Sequence, residues 1–217
     1  MIKTMAKNFI MSFFKAPLWN KRPHCVVSLY WLWLYVTMKY LQIGTDADRD
    51  PSLVSKTAQL RAIKDNKAQR NLKERDFDYV TPAGTFSYCD DCSLIEASDM
   101  ICIDLDHLDD DSEQMKRKIT PDEMKMLLLS DPYFGAKTLL MFTSPRGHGV
   151  KWFVEIDRSQ CDFKSWFLAI RNYLIATYGL GEKQVDPSVG NVSRACLISY
   201  DPDAYLRADQ YETFNIA

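Results

Sequence analysis

Apolar positions alternate with polar ones in some stretches of the chain and recur every third or fourth residue in others, and the two periods separate strands from helices. The clearest alternation is ICIDLDHLDDD, Ile101 to Asp111. As a strand it turns Ile101, Ile103 and Leu105 into a core and projects Asp104 and Asp106 together from the opposite face. Two further β segments, Thr138 to Thr143 and Val150 to Ile156, are joined by the turn SPRGHG at Ser144 to Gly149 and read as adjacent hairpin strands. In the second of them Val150, Trp152, Val154 and Ile156 share one face, and Lys151 falls on the other with Phe153 and Glu155. Phe77 to Ser87 predicts a hairpin around a Pro-x-Gly turn at Gly84, leading through Leu94 and Ile95 to the acidic strand.

The helical period first appears after Asp50-Pro51-Ser52, with Asp50 as cap and Pro51 at the first helical position, and predicts one helix to about Arg75. Leu53, Val54, Thr57, Leu60 and Ile63 form its buried stripe. Its basic residues Arg61, Lys64, Lys67, Arg70 and Lys73 step back by about 60° at each spacing of three, so they wind around the helix. Arg70 and Lys73, nearest the strands that follow, are the candidates for phosphate contacts. Thr120-Pro121-Asp122-Glu123 is a capping box that opens a short helix through Leu129, stopped by Asp131-Pro132. A third helix, about Asp162 to Tyr178, carries Phe163, Trp166, Phe167, Ile170 and Leu174 as its stripe and Gly179 past its end. A last apolar segment, Ala195 to Ser199, follows Asp186. The order predicts an α+β fold with helices packed on an open, mixed or antiparallel sheet.

Residues 1–25 read as an N-terminal arm, within which Met11 is as good a start as Met1, and residues 26–217 as one domain with a helical part (26–76) and a core (77–217). The run Cys25 to Val36 is too short to span a bilayer as a helix. Lys15, Lys21 and Arg22 precede it, but no small-residue cleavage site follows at Thr37 to Gln42, so a buried helix or strand is expected in place of a signal peptide, with no membrane role.

With 217 residues, 47% of them hydrophobic, the chain can bury a sizeable core. Its 27 basic and 29 acidic residues leave a net charge of -2, so any nucleic-acid site must be local. Six scattered cysteines fit a reducing cytoplasm better than a disulfide scaffold. Cys89 and Cys92 form a C-x-x-C pair, but no second half of a zinc site follows them, and they read as ordinary thiols in a hairpin turn.

Carboxylates held beside a core are costly unless something neutralises them, and divalent cations with oxygen ligands do so most simply. A haloacid-dehalogenase-type phosphatase needs Thr or Val two positions after the second Asp, where this chain has Leu108. A calcium loop counted from Asp104 would put Leu108 at its fifth position and Asp109 at its sixth, where an oxygen ligand and Gly are needed. A nucleotide-sugar transferase stays open, as do plain surface carboxylates after a core strand. Asp109 to Asp111 read as solvated loop charges. No P-loop sequence is present.

Taken in order, IDLDHLDD, SPRGHGVKWFV and VDPSVGNVSRACLISYDPDAY resemble the motif series of archaeo-eukaryotic-type primases. More narrowly, NLKERDFDYVTPAGTFSYCDDCSLIEASDMICIDLDHL is similar to the amino-terminal domain of VirE-type proteins, the primase-like proteins of bacterial mobile genetic elements. The resemblance spans roughly Val26 to Tyr205. It implies an RRM-like primase-polymerase core in which Asp104, Asp106 and Asp186 hold two Mg²⁺ or Mn²⁺ ions and catalyse nucleotidyl transfer from nucleoside triphosphates on a single-stranded DNA template, with any helicase supplied separately. Members of that group place a His in the second motif where this chain has Val150 or Lys151, and His148 lies two or three positions earlier. Lys151 is therefore the expected phosphate ligand, and His148 either a turn residue or a substrate contact. Arg194 suits a triphosphate or template contact or a surface ion pair, and Ser144 a phosphate donor or a turn cap. The rival expectation is a catalytically degenerate module of the same fold that binds nucleic acid or nucleotide.

Overall fold

The computed structural model describes residues 51–77, 79–88, 90–111 and 115–207. The N-terminal arm, the Cys25 to Val36 run, Asp50 and Cys89 lie outside them. The described chain is α+β: helices α1 (Pro51–Ala62) and α2 (Asn66–Asp76), strands β1 (Tyr79–Val80), β2 (Gly84–Phe86), β3 (Leu94–Ala97) and β4 (Met100–Leu105), helix α3 (Pro121–Leu129), strands β5 (Thr138–Thr143) and β6 (Val150–Glu155), helix α4 (Phe163–Tyr178), and strands β7 (Cys196–Leu197) and β8 (Tyr205–Leu206). None of these helices is long and apolar enough to cross a membrane.

An antiparallel sheet in the order β4-β6-β5-β8 forms the centre. The alternation expected of β4 is present, with Ile101, Ile103 and Leu105 fully buried beside Val150, Trp152 and Val154 of β6. Met124 and Leu128 of α3 and Phe163, Phe167, Ile170 and Leu174 of α4 complete that core. The starts of α3 and α4 are built locally. Thr120 and Glu123 form the reciprocal capping box of α3, with Pro121 in the first turn, and Asp162 accepts from Ser165 N at 2.7 Å to cap α4. Gly179, at φ 66°, ends α4 in the left-handed conformation.

The single helix expected to about Arg75 is two helices. Asp65 caps α2, accepting from Ala68 N at 2.6 Å, while Gln69 Nε2 donates to the Leu60 and Ile63 carbonyls at 3.4 and 2.7 Å. One residue's side chain thus satisfies the free carbonyls at the end of α1, and another's the free amides at the start of α2, so the chain turns without leaving backbone groups unpaired. The Phe77 to Ser87 hairpin is also rearranged. Gly84 does close a turn on Thr81, but β1 pairs with β7 and β2 with β3, so the two arms enter different ribbons. Non-local partners outcompeted the local pairing because both arms are too short to bury a face by themselves.

Candidate active site

The β4–β6 register sets Asp104 directly opposite Lys151. Both are buried, at 8% and 9% exposure, and Lys151 Nζ donates to Asp104 Oδ2. The other oxygen, Oδ1, is buried without a hydrogen-bond partner among the described residues. Burial pushes the Asp104 carboxyl up, Asp106 and Asp186 push the same way, and Lys151 opposes them. Burial would lower the Lys151 ammonium, but the Asp104 charge outweighs it and holds Lys151 well above the ordinary lysine range.

Beyond Leu105 the strand finds a new neighbour. Leu105 bridges Val185, Asp106 N donates to the Gln184 carbonyl at 3.0 Å, and Asp186 N donates to the Asp104 carbonyl at 3.0 Å. The antiparallel step brings the Asp186 backbone alongside that of Asp104. Gln184, fully buried, fixes this segment: its Oε1 accepts from Gly181 N at 2.8 Å and its Nε2 donates to the Arg117 carbonyl at 2.6 Å. The Asp186 carboxylate itself is turned to its own loop, accepting from Ser188 N at 2.8 Å and Ser188 Oγ at 2.7 Å, with Arg194 Nη2 at 3.4 Å.

The Ser144 to Gly149 turn packs on the end of β4. A Cβ at Gly149 would lie 2.0 Å from the Leu105 carbonyl oxygen and 3.0 Å from Asp106 Oδ1, so only glycine permits this approach. Ser144 is 3% exposed and its Oγ has no hydrogen-bond partner among the described residues; the turn is closed by backbone bonds, leaving that hydroxyl unused as a cap. Arg146, from the same turn, has its Nε buried without a hydrogen-bond partner among the described residues. Across from it stands half-buried Lys73 of α2, lowered by burial and then by the Arg146 and Lys151 charges, with Asp106 and Asp104 opposing. Neither the Lys73 ammonium nor the Asp106 carboxylate has an ion-pair or hydrogen-bond partner among the described residues. Arg70 is exposed on α2, one turn before Lys73. His148 lies outside this group and bonds the Asp109 carboxylate through Nδ1 at 2.9 and 3.1 Å. Asp111 pairs with Lys118 and Asp110 Oδ2 lies 3.7 Å from His107 Nδ1, so all three loop carboxylates read as solvated have charged or titratable neighbours.

Among the described residues, no three His, Cys, Asp or Glu side chains are grouped to hold a metal ion. Two of the three expected ligands still suit a hard cation: Asp104 Oδ1 and the Asp106 carboxylate are both without protein partners, and Mg²⁺ is commonly held by one or two carboxylates plus substrate phosphates. Arg146 escaped the sequence reading because a turn Arg carries no pattern; its lack of a partner shows only in three dimensions. Gln184 was equally silent, being polar in a loop. Of the C-x-x-C pair, Cys92 is an exposed free thiol.

A family model, the BT4734-like, N-terminal domain, matches residues 72–206. The chain belongs to this family. The VirE-type and primase-polymerase assignment drawn from the motif series is thereby corrected. The motifs that suggested it, D-x-D, Ser-Pro-x-Gly and a single Asp, are short and set largely by strand alternation and tight-turn geometry, so each matches by chance easily. No curated protein and no solved structure matches the chain. The BT4734-like match runs from Leu72 in α2 to Leu206 in β8, so it contains Lys73 and every other proposed ligand except Arg70.

Proposed function

We propose that the chain carries out metal-dependent nucleotidyl transfer, joining nucleoside triphosphates along a single-stranded DNA template. The observation that carries this is the juxtaposition, among the described residues, of unpartnered carboxylate oxygens on Asp104 and Asp106 with Lys73, whose ammonium makes no ion pair or hydrogen bond, and Arg146, whose Nε makes no hydrogen bond. Partly buried charges of both signs that are not hydrogen-bonded to one another are costly to desolvate, and a ligand of matching charge pattern would complete them. A metal-bound triphosphate has that pattern. Asp104 and Asp106 would hold Mg²⁺ or Mn²⁺, which when bound lowers the pKa of an attacking hydroxyl and neutralises a leaving pyrophosphate. Lys151 orients Asp104, Arg146 and Lys73 face the triphosphate charge, and exposed Arg70 extends the cationic edge towards a template phosphate. The finer architecture, an RRM-like core, is supported by the order of Val185, β4, β6 and β5 across the sheet, with α3 and α4 on one face.

A second reading, a binding module without catalysis, is favoured by two contacts: Lys151 occupies Asp104 Oδ2, and Ser188 with Arg194 occupies Asp186. A primer-synthesis assay with Mg²⁺ or Mn²⁺, beside an Asp104→Ala, Asp106→Ala double variant, separates the two. Extended product that the double variant fails to make supports transfer. Template and nucleotide binding with no metal-dependent product leaves only the binding module, and absence of both kinds of binding removes both readings.

A further inference from the structure

Two thiols meet in the cleft beside Asp104, and the proposed chemistry uses neither. Cys102 lies on β4 two residues before Asp104 and on the same face; Cys196 lies on β7 two residues after Arg194. Their sulfurs are 3.7 Å apart, with Cys102 donating to Cys196, and each residue is 6% exposed. Both line the cleft together with Asp104, Lys151, Val192 and Arg194, so a small oxidant can reach them. Their supports differ in stiffness. β4 is paired with β6 along its whole length, whereas β7 is two residues long and, among the described residues, pairs only with β1. Closing a disulfide needs a sulfur separation of about 2.05 Å, and β7 is the side free to move.

We propose that Cys102 and Cys196 form a reversible dithiol–disulfide pair that regulates the Asp104 cleft. The regulatory meaning rests on the nucleotide reading of that cleft; the pair itself does not. With a peroxide as oxidant, one sulfur attacks a peroxide oxygen, the O–O bond breaks, and a sulfenic acid and water result. The second sulfur then displaces the sulfenic oxygen as a second water, forming the S–S bond. Two thiols are oxidised, one peroxide is reduced to two waters, and an excess of small dithiol reverses the change. Bond formation draws β7 towards β4 and carries Arg194 with it, altering the contact between Arg194 and Asp186 and narrowing the cleft above Lys151.

The test treats the full chain with hydrogen peroxide, alkylates the remaining thiols and maps the peptides. A linked Cys102–Cys196 peptide is expected, removed by dithiothreitol and absent from Cys196→Ser and Cys102→Ser. Hydrogen exchange from Arg194 to Leu197 should slow on oxidation, and Mn²⁺–ATP affinity should fall by about tenfold in the native chain but not in Cys196→Ser. The proposal is overturned if Cys102 and Cys196 stay open to alkylation while only Cys89 and Cys92 link, or if the link forms with exchange and binding unchanged. If the reduced chain binds no nucleotide, the transfer reading fails alone, and linkage with exchange still decides the thiol pair.

Discussion

Asp104 and Asp106 are two residues apart, yet their substitutions should behave differently. Removing the Asp104 carboxylate leaves the Lys151 ammonium buried without its partner, so Asp104→Ala is expected to cost about 3–5 kcal/mol in urea unfolding. Adding Lys151→Met should restore most of that stability while leaving activity lost. The Asp106 carboxylate has no partner to strand, so Asp106→Ala should change stability by no more than about 0.5 kcal/mol and still abolish metal-dependent product. A stable, inactive Asp106→Ala separates chemistry from folding; an active one removes Asp106 from the site. That the pair would share a face was legible from alternation alone. That one of them is locked to Lys151 was not, because the register of β4 on β6 decides it.

Single elements show where local signals suffice and where they do not. The α3 capping box and the Gly179 stop were readable because both partners lie within a few residues. The break between α1 and α2 was hidden because basic and apolar spacing continues through it, and only the Asp65 and Gln69 side-chain bonds mark it. Asp65→Ala should cost about 1 kcal/mol and, by loosening the helix that bears Lys73, weaken nucleotide binding measured by calorimetry. The turn before β6 is less forgiving. Gly149→Ala drives a Cβ into the Leu105 carbonyl and should cost about 1–3 kcal/mol, read by thermal unfolding, with product lost as the turn separates from Asp106. On the far side of α3, buried Asp201 accepts from Thr143 N at 2.7 Å and from Lys125 Nζ at 3.1 Å. Burial would raise its carboxyl, but these bonds win and hold it below its ordinary value of 3.8. Its contribution is therefore present above pH 3.8 and is lost as pH falls through the depressed folded value. Asp201→Asn should be less stable than the native chain by about 2 kcal/mol at neutral pH, and the gap should close on acidification in urea titrations at a series of pH values.

Across the whole molecule, α1 is tied to the rest although the family match begins at Leu72. Leu60 packs with Leu72 and Phe77, Arg61 donates to the Pro145 carbonyl at 3.4 Å, and Thr57 Oγ1 accepts from Tyr200 N at 3.0 Å. A fragment of residues 72–207 should accordingly be less stable than one of residues 51–207 by at least about 3 kcal/mol, since it loses the burial of Leu53 and Leu60. Equal denaturant midpoints would show that α1 is dispensable. The sequence by itself determined the kinds and order of the main elements, the core face of β4 and the shared direction of Asp104 and Asp106, because period and capping act over a few residues. Only the tertiary structure decided which strands pair, that Val185 lands beside Leu105 and so carries the Asp186 backbone to Asp104, that Arg146 and Lys73 converge near Asp106, and that Cys102 meets Cys196. Those contacts join residues far apart in the chain, and their energy comes from burial, register and uncompensated charge, which no local pattern of residues encodes.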